Sequence, residues 1–201
     1  MISYPTELYD LVKPLPDTVD QSQLNDKGLF VFEGLDIDLA CELVEKSKQT
    51  NIITYCPNDS AERFRNLRKI IAWQSKGRLA LPLTKKIGSD ALSLVGFGWM
   101  GPGQPAEEEP EIPGAKTTFA IRIYDVVAGQ KNALPYTKII LETNNALYGN
   151  EGVWLEAWGD NKAALSTYEK VGFQKVAEVL GVRNGDVHPR IYMTLGELSL
   201  V

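Results

Sequence analysis

The chain has 201 residues, of which 44% are hydrophobic and 23% are charged, and its formal net charge is −5. This size suits a single large globular domain, or a domain with an N-terminal extension. The acidic balance argues against general nucleic-acid binding and against adhesion to anionic lipid, because both need a basic surface.

The sequence contains two cysteines, Cys41 and Cys56. Two cysteines are too few for a disulfide framework, and neither has the spacing of a metal ligand. The first residues lack the features of a signal peptide, and no run of about 18 apolar residues could cross a membrane. We therefore expect a cytoplasmic protein that uses no metal ion and contacts no membrane.

Residues 1–27 are rich in proline and polar residues and have no sustained periodicity, which predicts an N-terminal extension. A single domain is expected over residues 28–201. Residues 28–35 are strand-like, and either Asp36 or Asp38 can cap the helix that follows.

A second helix is predicted to open at the polar cluster of residues 58–60 and to run through Ile71, because its apolar residues recur at helical spacing. Its basic residues are expected to form a solvated face; they are Arg63, Arg65, Arg68 and Lys69.

Two strands follow, over about residues 78–83 and 91–99. Residues 101–115 carry four prolines and four glutamates, so they predict a long irregular loop. Residues 117–124 have the highest β-propensity of the chain and predict a strand. After them the pattern predicts a loop over 125–133 and a helix over 134–147, with Pro135 in its first turn.

The last part of the chain predicts a strand at residues 153–158, a turn at Gly159-Asp160, a helix, and closing strands near 175–180 and 191–195. The polar residues of this part stand at distinct places. Glu156 lies within the strand, Asn161 lies at the start of the helix, and Tyr168 lies two turns further on.

The segment Trp154–Phe173, WLEAWGDNKAALSTYEKVGF, resembles the C-terminal signature of the GCN5-related N-acetyltransferases. In that family a strand of the type L-E-V is followed by Asn, by an Ala three residues later, and by a Tyr-Glu-Lys-x-Gly-Phe close. The matching residues are Leu155, Glu156, Ala157, Asn161, Ala164, Tyr168, Glu169, Lys170, Gly172 and Phe173.

Over about residues 28–196, the predicted order of strands and helices is also the order of this family. It implies an α/β (α+β) fold with a mixed, mostly antiparallel central sheet of about seven strands. About four helices flank this sheet, and strands 4 and 5 splay apart.

The resemblance also implies acetyl-CoA as the co-substrate. The pyrophosphate-binding loop of the family has the pattern Gln/Arg-x-x-Gly-x-Gly/Ala, and it aligns here with Ala128, Gly129, Gln130, Lys131, Asn132 and Ala133. Ala133 agrees with the pattern. Ala128 replaces the Gln/Arg, and Lys131 replaces the central glycine, which is needed where φ is positive or a phosphate comes close. Either the lysine turns outward and the loop still binds, with Asn132 tolerating a positive φ, or affinity for the cofactor is lost.

Further residues carry the implied chemistry. The strand-four segment Ile121, Arg122 and Ile123 would present its backbone to the acetyl group. Asn161 matches a position that contacts the pantetheine arm, although it would also serve as a helix cap. Tyr168 matches a tyrosine that protonates the leaving thiolate, although it could simply pack its ring.

Glu156 is the candidate general base. Strand alternation places it between Trp154 and Trp158 on one face, where partial desolvation would raise the pKa of its carboxyl group. The alternatives are a surface glutamate without a catalytic role, or a base drawn from Glu107–Glu111 or Asp125.

The sequence thus predicts an acetyl-CoA-dependent N-acetyltransferase in which an amine attacks the acetyl group directly, within a ternary complex. The acceptor would be an amine-bearing small molecule or a peptide N-terminus, and the protein would be a monomer or a homodimer. The alternative is a non-catalytic protein of this fold that binds an acyl-CoA or another ligand through a degenerate pyrophosphate loop.

Overall fold

The protein is described by a computed structural model that covers residues 12–88, 91–105, 107 and 109–195. Its strands form one sheet in the order β1-β2-β3-β4-β5-β7-β6. The strands are β1 (Leu29–Val31), β2 (Leu79–Ile87), β3 (Ala91–Pro102), β4 (Thr117–Ile123), β5 (Val153–Trp158), β6 (Phe173–Arg183) and β7 (Asp186–Leu195). Only β4 and β5 pair in parallel, and all other neighbours are antiparallel.

The helices lie on both sides of this sheet. They are α1 (Ser22–Asn25), α2 (Ile37–Lys46), α3 (Thr50–Tyr55), α4 (Leu67–Gln74), α5 (Ala133–Tyr148) and α6 (Lys162–Lys170). Within the described ranges, no helix is long and apolar enough to cross a membrane. The mixed, mostly antiparallel sheet that the sequence predicted is confirmed.

One hydrophobic core lies between the sheet and helices α5 and α6. It includes Ile139 and Ile140 of α5, Tyr168 of α6, and Leu81 and Phe119 of the sheet. Helix α5 lies so close to β3 that a Cβ atom on Gly98 would stand 2.2 Å from Cδ1 of Ile140. The N-terminus of α5 is thereby fixed at the end of the sheet where β4 stops.

A second core lies on the opposite face, between the sheet and helices α2 and α4. Leu43 of α2 and Trp73 of α4 pack there against Phe97, Trp99 and other residues of the sheet. Side-chain caps begin both helices: Asp36 Oδ1 accepts from the Leu39 N–H (2.8 Å), and Asn66 Oδ1 accepts from the Lys69 N–H (3.1 Å).

The helix predicted from residue 58 to Ile71 is divided. A π-helical turn spans Asp59–Arg63, and α4 begins separately at Leu67, after Asn66 in an extended conformation. Asp59 is buried between the sheet and the α2/α4 layer because its carboxylate pairs with Arg122 of β4, which is also buried. The short helix α3 was not predicted, because only Ile52 of it is buried and so gives no periodic pattern.

The predicted splay between strands 4 and 5 is confirmed. Strands β4 and β5 pair only at Thr117 with Val153 and at Thr118 with Trp154. Beyond this point β4 continues to pair with β3, while β5 pairs with β7. The sheet therefore opens into a gap, which we call the β4–β5 gap, between residues 119–123 of β4 and residues 155–158 of β5.

The described N-terminal residues pack on the sheet. Leu15, Val19 and Leu24 are buried in the core that also contains α5, and the backbone of Lys13 pairs with that of Glu33. Residues 1–11 lie outside the described part of the chain, as do residues 196–201. The predicted division at residue 28 stays a prediction.

The proline-rich segment after β3 folds back over β5 and β7. Trp154 Nε1 donates to the Gly103 carbonyl oxygen (2.8 Å), and Ile112 and Ala115 are buried against Trp154 and Tyr192. The segment is irregular, as predicted, but it is packed through these contacts. It therefore forms a wall on the α2/α4 face of the sheet.

Gly152 holds the start of β5 against this segment. Its φ is +64°, and an added Cβ atom would lie 2.1 Å from the Gly114 carbonyl oxygen. We expect Gly152→Ala to lower the free energy of unfolding by at least about 3 kcal/mol, because backbone strain and a backbone clash add.

Gly28→Ala is the matched control for this substitution. Gly28 has a φ of +69°, and a Cβ atom added there would meet nothing within 4 Å, so only the strain remains, at about 1–2 kcal/mol. Urea denaturation of both variants measures the difference. Equal losses would contradict the close approach at Gly114.

Candidate active site

Backbone edges and buried polar side chains meet at the β4–β5 gap. Residues directly paired across neighbouring strands face the same side, so Thr118, Ala120 and Arg122 of β4 share the α2/α4 face with Trp154 and the residues that alternate with it in β5. The α5/α6 face of the gap is lined instead by Phe119, Ile121 and Ile123.

Arg122 occupies the α2/α4 side of the gap. Its Nε donates to Asp59 Oδ2 (2.6 Å) and its Nη2 donates to Asp59 Oδ1 (3.2 Å), while Nη1 donates to the Ile121 carbonyl oxygen (3.0 Å). Arg122 is 9% exposed and Asp59 is 1% exposed. Burial alone would lower the pKa of Arg122, but the adjacent carboxylate outweighs this and raises it.

Tyr168 approaches the gap from α6. Its ring packs edge-on against Phe119 (centroids 5.9 Å apart) and against Phe173 (5.9 Å). Burial raises the pKa of Tyr168 to about 12, and the positive charge of Arg122 opposes this rise. The phenol is therefore neutral at physiological pH and lies within the field of the guanidinium.

Cys56, at the end of α3, belongs to the same cluster. Burial raises the pKa of its thiol to about 11, and the charge of Arg122 acts in the opposite direction. The nearby carboxylates of Asp59 and Glu156 raise the pKa further. The gap thus brings together a thiol, a phenol, a guanidinium and a carboxylate from four different elements.

Glu156 lies across the gap from this cluster, on β5. Its side chain is 43% exposed and forms an ion pair with Nη2 of Arg190, which also pairs with Glu109 Oε1 (2.8 Å). The predicted alternation with Trp154 and Trp158 is present. However, Arg190 stands beside the carboxylate, and the guanidinium stacks over the Trp158 ring at 5.6 Å.

The predicted pyrophosphate loop leads directly into α5. The N–H groups of Gly129, Lys131, Asn132, Ala133 and Leu134 donate to no acceptor among the described residues. Unpaired N–H groups and the positive end of the dipole of a 16-residue helix favour a bound anion.

Lys131 adopts the backbone conformation for which the family uses glycine. Its φ is +57°, whereas the φ of Asn132 is −85°, so the loop does not shift its register onto the asparagine. The lysine side chain is exposed. The loop therefore keeps the left-handed turn and bears a strain that glycine would avoid.

Asn132 and Lys27 extend this anion-binding surface. Asn132 Oδ1 accepts from Lys27 Nζ (3.0 Å), which places an ammonium from the N-terminal part beside the α5 terminus. Nδ2 of Asn132 is buried without an acceptor in the described part of the chain. Ala128 is exposed and supplies no polar side chain where the family has Gln or Arg.

Asn161 caps α6: its Oδ1 accepts from the Ala164 N–H (3.2 Å). The side-chain oxygen is thereby used by the helix, and the amide nitrogen is the part of the side chain that remains for a ligand. A contact of Asn161 with a cofactor stays a prediction.

Several residues of the gap were not singled out from the sequence. Asp59 was expected to cap a helix, and Arg63 was expected to be solvated, but Arg63 Nη1 lies 3.2 Å from Asp59 Oδ1. Arg183 pairs with Asp160 and stacks between the rings of Tyr55 (5.1 Å) and Trp158 (5.0 Å). The Arg183 contacts have no local pattern, because they join residues far apart in the chain, whereas the contact of Arg63 with Asp59 is an i,i+4 pair that the spacing could have indicated.

A surface cavity of about 370 Å³ lies between the end of α4 and the start of β2, and Arg78 is one of its lining residues. None of the predicted site residues lines it.

The two cysteines should differ sharply in reactivity. With a pKa of about 11, roughly 0.1% of Cys56 is thiolate at pH 8, whereas Cys41 is exposed. We expect dithiobis-nitrobenzoate to modify Cys41 first and Cys56 at least about 100-fold more slowly, with a Cys56 rate that rises about tenfold per pH unit toward pH 11.

Cys41→Ser should remove the fast phase and leave the slow one. A fast phase that survives in Cys41→Ser would show that Cys56 is not held in this buried environment.

No family model and no curated protein sequence matches the chain. Solved structures do match. The spermidine N-acetyltransferase from Vibrio cholerae in complex with CoA and spermine is 18% identical with a TM-score of 0.62, covering 84% of this chain and 96% of that one. A putative acetyltransferase from Salmonella typhimurium with acetyl-CoA is 15% identical with a TM-score of 0.61, covering 86% and 96%.

A third match is an acetyltransferase of the GNAT family from Streptococcus pneumoniae, at 15% identity and a TM-score of 0.61, covering 84% of this chain and 99% of that one. At such identities the likeness concerns the fold. The resemblance implied by Trp154–Phe173 is confirmed at that level: this chain has the fold of the GCN5-related N-acetyltransferases.

Proposed function

We propose that this protein is an acetyl-CoA-dependent N-acetyltransferase that moves an acetyl group to an amine by direct attack in a ternary complex. The observation that carries the proposal is the β4–β5 gap, with the buried Tyr168 on one side of it and the unpaired N–H groups before α5 at its end. The solved structures of the same fold that contain CoA or acetyl-CoA support it.

The chain's own residues fit such a co-substrate. Donors without acceptors lie before and at the start of α5. They are the backbone N–H groups of residues 129 and 131–134 and Nδ2 of Asn132. Lys27 and Lys131 add positive charge beside them. The backbone N–H groups and Nδ2 of Asn132 would hold the pyrophosphate, and the unpaired edge of β4 would receive the pantetheine arm. When bound, acetyl-CoA supplies the activated acetyl group.

Tyr168 would stabilise the leaving thiolate by donating a hydrogen bond. With a pKa of about 12, it lies about 3.5 units above a thiol of about 8.5, so complete proton transfer would be uphill by about 5 kcal/mol. A hydrogen bond from the neutral phenol needs no such transfer. The guanidinium of Arg122 would add electrostatic stabilisation from the other side of the gap.

Glu156, or a water molecule that it orders, would accept the proton from the attacking amine. Its carboxylate lies on the face of β5 that looks across the gap to Cys56 and Asp59. The ion pair with Arg190 orients the carboxylate. Among the rival bases, Glu109 shares Arg190 with Glu156, and Glu108 lies outside the described residues.

The second candidate is a non-catalytic protein of this fold that binds an acyl-CoA or another ligand. Ala128 and the strained Lys131 favour it, because both depart from the family's loop. Turnover with a panel of amines distinguishes the two: binding of acetyl-CoA without release of CoA thiol for any amine would favour the second.

Compartment and assembly follow as smaller proposals. Cys41 and Cys56 are free thiols, which fits the reducing cytoplasm that we propose as the location. A monomer or a homodimer remains the proposed assembly.

Lys131→Gly tests how the loop binds. Because the lysine adopts a glycine-like φ and its side chain is exposed, we expect the backbone to hold the phosphates. The Kd for acetyl-CoA, measured by titration calorimetry, should stay within about 3-fold, since exposed charge pairs contribute little.

Lys131→Ala is the control that removes the ammonium while keeping the strained Cβ. A clear loss of affinity in both variants would identify Lys131 as a phosphate ligand. No saturable binding by the unaltered protein at millimolar acetyl-CoA would contradict the proposed function itself.

Tyr168→Phe tests the role of the phenol. It keeps the ring contacts with Phe119 and Phe173 and removes only the hydroxyl, so turnover should fall at least about 10-fold while the Kd for acetyl-CoA changes little. The measurement is CoA-thiol release under saturating acetyl-CoA. Unchanged turnover would remove Tyr168 from the mechanism.

A further inference from the structure

A cluster of buried nitrogen donors lies on the α2/α4 face beside the β4–β5 gap. Its centre is Trp99 of β3, which is 5% exposed. The guanidinium of Arg78 lies over the Trp99 ring at 4.8 Å, that of Arg63 lies 5.9 Å from it, and the Trp73 ring packs edge-on at 5.6 Å. We call these four residues the Trp99 cluster.

The Trp99 cluster holds donors that have no acceptor. Nε and Nη1 of Arg78, Nε1 of Trp73 and Nε1 of Trp99 are all buried without a hydrogen-bond partner among the described residues. Both indoles are more than nine-tenths buried. Buried donors are paired in almost all native structures, and none of these groups can accept a hydrogen bond in return, so the ligand that suits them is an acceptor.

The positive charge of the Trp99 cluster indicates that the hydrogen-bond acceptor is an anion. Arg63 and Arg122 share the single carboxylate of Asp59, and Arg78 forms no ion pair in the part of the chain that the structure describes. Burial lowers the pKa of Arg78, and the nearby positive charge of Arg63 lowers it further. The region therefore carries an excess of positive charge that an anion would balance.

The Trp99 cluster is continuous with the β4–β5 gap. Arg63 connects it to Asp59 and so to Arg122, and Trp99 is paired in register with Ala120 of β4. Ala120 is two residues before Arg122, a distance along the strand of about 7 Å. An anion on the cluster and an amine at the gap would thus be farther apart than the two charges of an α-amino acid.

The opposite wall of the gap carries the opposite charge. There Glu156 and Glu109 share the single guanidinium of Arg190. The α2/α4 face of the gap is thus positive on its β3/β4 side and negative on its β5/β7 side. Such a groove orients a molecule that has a cationic amine at one end and an anion at the other.

We propose that the acceptor is a primary amine that also carries an acidic group, and that the Trp99 cluster, with Arg78 as its main ligand, binds this carboxylate or phosphate. This inference rests on the proposed acetyl-transfer function and specifies its substrate class. It also separates this chain from the similar structure that contains spermine, because a polycation would meet Arg63 and Arg78 unfavourably.

Anion binding can be measured without turnover. Tryptophan fluorescence is titrated with inorganic phosphate and with glutarate at constant ionic strength, using the protein, Arg78→Gln and Arg68→Gln. Arg68 is an exposed arginine of α4 outside the cluster, so its variant controls for the loss of one charge. We expect a saturable change in the protein and in Arg68→Gln and its loss in Arg78→Gln.

Acceptor choice is measured by CoA-thiol release with matched amines. The pairs are 5-aminopentanoate with 5-aminopentanamide and 3-aminopropyl phosphate with 3-aminopropanol, and they separate carboxylate from phosphate recognition. At least one acid should exceed its neutral partner at least about 10-fold in kcat/KM. Arg78→Gln should abolish the preference mainly through KM, and Arg78→Lys should restore part of it.

The outcomes separate this inference from the function on which it rests. Equal use of acid and neutral partner, or equal losses for both in Arg78→Gln, would overturn the inference while leaving acetyl transfer intact. A saturable, Arg78-dependent fluorescence change without any acetyl-CoA turnover would sustain the anion site and contradict the function. Arg78→Gln should melt no lower than the unaltered protein, because it removes an unpaired, partly buried charge.

Discussion

The structure depends on how few residues join the two halves of its sheet. Only the pairs at Thr117–Val153 and Thr118–Trp154 connect β4 to β5, and both halves continue as regular antiparallel ladders on either side. Since an unpaired strand edge inside a protein leaves backbone donors and acceptors without partners, divergence at the centre of a sheet is unfavourable unless something else uses those groups. In this chain, side chains from both layers converge at the opening, and unpaired backbone edges lie there where a continuous sheet would have none.

The pair of Arg122 and Asp59 connects β4, at the edge of the opening, to the α2/α4 layer. The guanidinium extends from β4 into the α2/α4 layer, where it bonds the carboxylate twice and bonds the carbonyl oxygen of Ile121. A buried ion pair of this kind contributes little net stability over apolar packing, but removal of one partner is strongly unfavourable. It therefore acts mainly as a constraint that fixes the π-helical turn after α3 at the gap. Cys56 lies just before this turn and Arg63 is its last residue, so the pair also brings these two side chains near the gap.

The sequence was informative wherever a feature is local. The strand, turn, helix and stop of residues 153–173 are each determined by neighbours in the chain, so the resemblance carried by Leu155, Asn161 and Tyr168 indicated the fold and its splay correctly. The contacts of Asp59 could not be predicted, because its partner is 63 residues away and its neighbours look like a helix cap. The left-handed φ of Lys131 was indicated only by its alignment with the family's central glycine, since lysine itself does not favour that conformation. The catalytic roles of Tyr168 and Glu156 remain predictions based on their positions in the sequence. The structure adds the side chains that contact each of them.

In the proposed function, the reaction and the choice of acceptor would depend on different parts of this fold. The proposed reaction class rests on the gap, the N-terminus of α5 and Tyr168. The proposed acceptor would meet the side chains of the α2/α4 layer and of the segment after β3. Within this layer, Arg63 and Arg78 converge on one indole while a single carboxylate neutralises Arg63 and Arg122 together. A site that binds a polyamine would need carboxylates beside Trp99, at the position of Arg63 and Arg78. Arg63 is 38% exposed and Arg78 is only partly buried, so solvent can satisfy part of this positive charge, and the proposed acidic acceptor would satisfy it at the point where the chemistry would occur.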